Sequence, residues 1–149
     1  MKIGPLRTKA EKQDLEASWL RSDFEFFAAG ACHVLASAFL GEYPNLGYCA
    51  ILIESKPPQR GTHVVVANTR WVFDANGFTE REPYFQEYFA LQRERDPSWS
   101  AALVELDEDP AGWDFCRRRG HRHPSQFWRD PTERARAFIA SFALALPRK

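Results

Sequence analysis

Two short apolar runs, residues 63–67 and 70–74, lie only two residues apart. Runs this short and this rich in valine and aromatics read as strands, and so narrow a gap predicts an antiparallel hairpin. With Asn68-Thr69 as the turn, Ala67 pairs with Arg70, Val66 with Trp71, Val65 with Val72, Val64 with Phe73 and His63 with Asp74. Directly opposed residues place their Cβ atoms ~4.5–5.5 Å apart on one face. One face then gathers Val64, Val66, Trp71 and Phe73 as a core surface. The other brings the His63 imidazole within hydrogen-bonding reach of the Asp74 carboxylate. A carboxylate on one ring nitrogen fixes the tautomer and frees the other nitrogen as a base. A one-residue slip would put the two side chains on opposite faces.

The rest of the chain frames this hairpin. Residues 48–54 read as a further strand, joined to it by the turn-forming Pro57-Pro58-Gln59-Arg60-Gly61. Residues 10–20 predict a helix. Ser22-Asp23 caps a second short one, and residues 31–40 form a mostly buried one that stops at Gly41. Residues 83–94 carry aromatics at helical spacing, whereas 99–106 fit a short helix or a strand. Asp130-Pro131-Thr132-Glu133 opens a last helix, with an apolar face over 135–146. Helices, a meander, then helices is an α+β order: a small antiparallel sheet flanked by helices. At 149 residues the chain fits a single domain, 1–149, with residues 1 to about 9 as a loose tail.

Positive and negative side chains balance at 20 each, so no global charge recommends nucleic acid or an anionic membrane as partner. No apolar run approaches the ~20 residues needed to span a bilayer, and the N-terminus lacks a secretory apolar core. The three cysteines, Cys32, Cys49 and Cys116, are an odd and scattered set, a poor disulfide framework. The expectation is a cytoplasmic protein; one exported without a leader would read the same.

Cys32 follows Gly30 at the start of the buried helix. A thiol there feels the positive end of the helix dipole and unpaired backbone N–H groups, which favour thiolate. The same N–H groups suit a developing oxyanion. Cys32 as nucleophile, His63 as base and Asp74 as the group orienting it would form a thiol-dependent catalytic site needing no cofactor. His33 reads as a packing neighbour. The bland alternative is an inert core cysteine and a satisfied strand histidine. Cys116, His121 and His123, with Cys49 as a further donor, offer metal-binding atoms, but Cys-x4-His-x-His matches no standard zinc spacing. Arg117, Arg118 and Arg119, amid Trp113, Phe115, Phe127 and Trp128, resemble a nucleic-acid surface in composition. An acidic segment just upstream makes a solvated loop the simpler reading.

The stretch from Gly30 to Gly77 resembles the papain-like cysteine hydrolase superfamily in its broad sense, including NlpC/P60-type and transglutaminase-like proteins. The shared features are the order Cys32, His63, Asp74, with the cysteine at a helix start and the other two on neighbouring strands. The Asp-Cys-Ser-Gly and Cys-Gly-Ser-Cys-Trp signatures of two of its branches are absent, as is an oxyanion-type glutamine just upstream; Gln13 is the only upstream glutamine. The resemblance implies a hydrolase, deamidase or acyltransferase acting on an amide, ester or thioester of a protein, peptide or small acyl substrate. The alternative it leaves is a papain-like fold used as a protein-binding or regulatory module.

Overall fold

A computed structural model describes residues 1–147. Four helices come first: α1 (Lys9–Gln13), α2 (Leu15–Trp19), α3 (Asp23–Ala28) and α4 (Cys32–Glu42). Strands β1 (Cys49–Ser55), β2 (Thr62–Ala67), β3 (Trp71–Asp74) and β4 (Gly77–Glu80) follow. Then come α5 (Arg81–Arg95), β5 (Ala101–Leu106), α6 (Trp113–Arg119) and α7 (Thr132–Ala140). The fold is α+β, with one antiparallel sheet in the order β4-β3-β2-β1-β5. Among the described residues no helix is long and apolar enough to cross a membrane.

The sheet has two buried faces because its strands alternate core residues in both directions. Ala50, Leu52, Val64, Val66, Phe73 and Ala75 pack with α3, α4 and α7. Ile51, Ile53, Val65, Ala67 and Val72 pack with Tyr84 and Tyr88 of α5 and with Trp99. The helix α4 is buried along most of its length, from Cys32 through Phe39, which makes it the central helix of the first layer.

Several expectations are corrected by local chemistry. The helix anticipated over 10–20 is two short ones, because the Asp14 carboxylate caps a fresh start at Glu16 and Ala17. The last helix ends at Ala140 rather than running to 146. Of the two alternatives for 99–106, residues 101–106 take the strand, paired with β1, and residues 77–80, to which the sequence assigned no element, form β4. The first residues are no loose tail. Lys2 exchanges two hydrogen bonds with the Asn76 side chain, and Arg95 donates to the Gly4 carbonyl at 2.6 Å.

The hairpin turn is also displaced. Asn68 lies before the turn, not in it: its side-chain oxygen accepts from the N–H groups of Arg70 and Trp71, at 2.9 and 2.7 Å. The observed pairs are Val66↔Phe73 and Ala67↔Val72, a shift of two residues from the expected register. Because the side-chain period is two, the shift preserves faces. His63 and Asp74 remain on one side, though diagonal rather than opposed.

Candidate active site

The site forms where β2 and β3 part. Their pairing stops at Val66↔Phe73. Beyond it the Val64 N–H donates to the Cys32 sulfur, at 3.4 Å. That bond draws the first residue of α4 against the strand bearing His63. The cysteine is 6% exposed. Ala31, at the helix cap position, makes no side-chain capping bond. A Ser, Asp or Asn there would cap the second or third N–H of the helix; with alanine the Val34 N–H bonds the Ala31 carbonyl at 3.1 Å, and no side chain caps the N–H groups of Cys32 and His33.

His63 and Asp74 lie on the α5 face of the sheet. The His63 ring stacks on Tyr88, with centroids 5.4 Å apart and planes 6° from parallel. Its Nε2 points to the Asp74 carboxylate at 3.9 Å, an ion-pair distance longer than the hydrogen bond expected from direct opposition. Asp74 instead accepts from the Tyr84 hydroxyl at 2.7 Å and from the Asn76 N–H at 2.8 Å. Those bonds fix the carboxylate. With Nε2 turned to Asp74, Nδ1 is the ring nitrogen that does not face the carboxylate.

The electrostatics couple the groups. Burial pushes the Cys32 thiol up, but the His63 charge and hydrogen bonds from His33 and His63 outweigh it and hold the thiol well below its usual value. Burial likewise pushes the His63 imidazole down; Tyr88, the Cys32 sulfur and Asp74 together lift it well above its usual value. Each charged form sustains the other, as a thiolate–imidazolium pair does.

His33 does more than pack. Its Nε2 donates to the Arg122 carbonyl at 2.7 Å, which anchors the loop after α6 beside the thiol. Although burial lowers its pKa, hydrogen bonds with Cys116 and Cys32 raise it to about 9. The sequence placed His33 beside Cys32, but adjacency in a helix says nothing of which way a ring turns. Tyr84 and Tyr88 were visible only as members of an apolar helical stripe. Their spacing of four residues marks one face, but not the hydroxyl's partner.

The other candidate residues disperse. Cys116 donates to the Pro110 carbonyl, His121 bonds Thr62, and His123 stacks on Trp113 and bonds Ser125. Among the described residues no three His, Cys, Asp or Glu side chains group as metal ligands. Cys49 lies in β1, its sulfur against the Ala67 carbonyl. Arg118 and Arg119 pair with Glu108 and Glu54.

Two cavities flank the Cys32–His63 pair. One of about 350 Å³ is lined by Cys32, His33 and His121. The other, about 460 Å³, reaches His63, Asp74 and Tyr88 and is bordered by residues 2–7. Compared with family models, curated proteins and solved structures, the chain matches none.

Proposed function

We propose that this protein is a thiol-dependent hydrolase, deamidase or acyltransferase that acts on an amide, ester or thioester. The observation that carries the reading is the seating of the Cys32 sulfur on the Val64 N–H, beside a His63 whose Nε2 faces Asp74. The same arrangement supports a papain-like fold in the broad sense, with the nucleophile at a helix start and its base on an adjoining strand.

The chemistry follows from the parts. The Cys32 thiolate bonds to the carbonyl carbon, and the π pair moves to oxygen. The N–H groups of Cys32 and His33, which no side chain caps, would hold that oxyanion. As the pair returns, the bond to the leaving amine, alcohol or thiol breaks, and imidazolium His63 supplies its proton. Water then attacks the thioester, gives a proton to His63 and releases the acid and the thiolate. An amine, alcohol or thiol in place of water completes acyl transfer. Asp74, clamped by Tyr84 and Asn76, keeps the ring oriented and favours its charged form.

An activated ester tests the first half-reaction. Mixing the protein with p-nitrophenyl acetate is expected to release a burst of about one equivalent of p-nitrophenolate, with the acetyl group on Cys32 by peptide mass mapping. Cys32→Ser is expected to lose both. A wild-type adduct confined to Cys49, Cys116 or lysines, with no burst, would overturn the proposal.

A further inference from the structure

The chain carries no net charge, yet the charged side chains that line the cavities at Cys32 and His63 are, Asp74 apart, cationic. The two cavities share Arg7, Lys12, Gly30, Arg60, Gly61 and Thr62. Arg122 adds to the cavity at Cys32, and Lys2 and Arg95 to the one at His63. Among the described residues Asp74 is the only carboxylate lining either, and Tyr84 and Asn76 already hold it. Among the described residues Arg7, Lys12, Arg60 and Arg122 form no ion pair.

The crowding is closest at Gly30. Its φ of +113° suits glycine, and a Cβ there would lie 3.0 Å from both an Arg7 and an Arg21 guanidinium nitrogen. Two guanidinium groups thus meet two residues before the nucleophile. Arg21 is buried, and its hydrogen bonds go to the neutral oxygens of Ser18 and Glu25 backbone and Ser18 hydroxyl. Burial, and then Arg7, hold both Arg21 and Arg122 below the usual arginine range. A second sign is a buried His121 Nδ1 with no hydrogen-bond partner among the described residues, on a residue lining the cavity that holds Cys32. Glu11 and Glu25 offset part of the charge at Arg21, but like charges gathered in excess destabilise a fold, and an anionic ligand would relieve them.

We infer that the acyl substrate of Cys32 is anionic: it carries a carboxylate or phosphate that Arg7, Arg60 and Lys12 receive as the carbonyl reaches the sulfur. The inference rests on the thiol-enzyme reading and adds its substrate class. Arg7 and Arg60 offer planar forks that match both oxyanions in bidentate fashion, and Lys12 adds a point charge. The zero net charge makes the attraction local to the cleft.

Iodoacetate and iodoacetamide separate the two readings. Both form the same S–CH2 bond with loss of iodide, and differ in a carboxylate against a neutral amide. The absolute iodoacetamide rate at Cys32 reads the Cys–His pair. The iodoacetate-to-iodoacetamide ratio, normalised to that of free cysteine, reads the charge of the cleft. For the wild type this normalised ratio is expected at about tenfold or more at low salt, collapsing as salt is raised. Because imidazolium His63 contributes to it, the decisive comparison is Arg7→Gln with Arg60→Gln, singly and together, which should lower it severalfold; Arg70→Gln, outside both cavities, should not. A ratio near one, or one unmoved in the double variant and by salt, overturns the anionic substrate even if iodoacetamide reacts fast.

Discussion

At about pH 6, Cys32 is expected to react with iodoacetamide roughly tenfold faster than a free thiol, and His63→Ala to remove that advantage. A free thiol of pKa ~8.5 is about 0.3% ionised there. A thiol held well below that range is ionised to a much larger fraction, and a Brønsted slope of ~0.4–0.5 returns part of that gain through lower nucleophilicity. The direction is set by the lowered Cys32 thiol, whose largest favourable influence is the His63 charge. As pH falls through that lowered value the rate falls with it. As pH rises towards the ordinary thiol range the advantage over a free thiol shrinks, since the free thiol then ionises too. Acyl transfer has a second limb: it declines as pH rises through the raised His63 value, where the proton for the leaving group is lost. Peptide-resolved alkylation separates Cys32 from Cys49 and Cys116. An unchanged Cys32 rate in His63→Ala would show that the imidazole does not sustain the thiolate.

Phe39→Ala should cost about 3–5 kcal/mol of folding stability, the range for removing a fully buried aromatic ring. Phe39 is 0% exposed. Its ring lies 4.7 Å from Phe73, 4.9 Å from Tyr48 and 5.0 Å from Tyr43, centroid to centroid. It therefore joins α4 to the sheet and to the chain that leaves the helix. The loss should appear as a lower urea midpoint at unchanged slope. A loss below ~1 kcal/mol would mean that α4 does not pack on this face, and the seat of Cys32 would go with it.

How much of this was legible depends on the range of the forces involved. The parity of the hairpin was kept, because the register moved by two residues and so left Val64, Val66 and Phe73 on one face. The register was not, because Asn68 can sit in a turn or, as here, cap one through its side chain. That two-residue shift left His63 and Asp74 on one face but replaced direct opposition with a diagonal. Cys32 was readable as a helix start after Gly30. Its meeting with Val64 was not, since that depends on where β2 and β3 part. Residues 77–80 carry too little pattern to declare a strand; pairing with β3 supplies it. The cationic cleft was hidden for a similar reason. Arg7, Arg60 and Arg122 are far apart in sequence, and only the fold sets them around one cysteine.

The central claim is that Cys32 stands as a thiolate against an imidazolium. The ultraviolet absorbance of the thiolate, followed with pH as wild type minus Cys32→Ser, tests it most directly. The account predicts a difference signal already present at about pH 6–7, titrating at a pH below that of a free thiol and moving up in His63→Ala. A signal that emerges only above pH ~8.5, alike in wild type and His63→Ala, would contradict it.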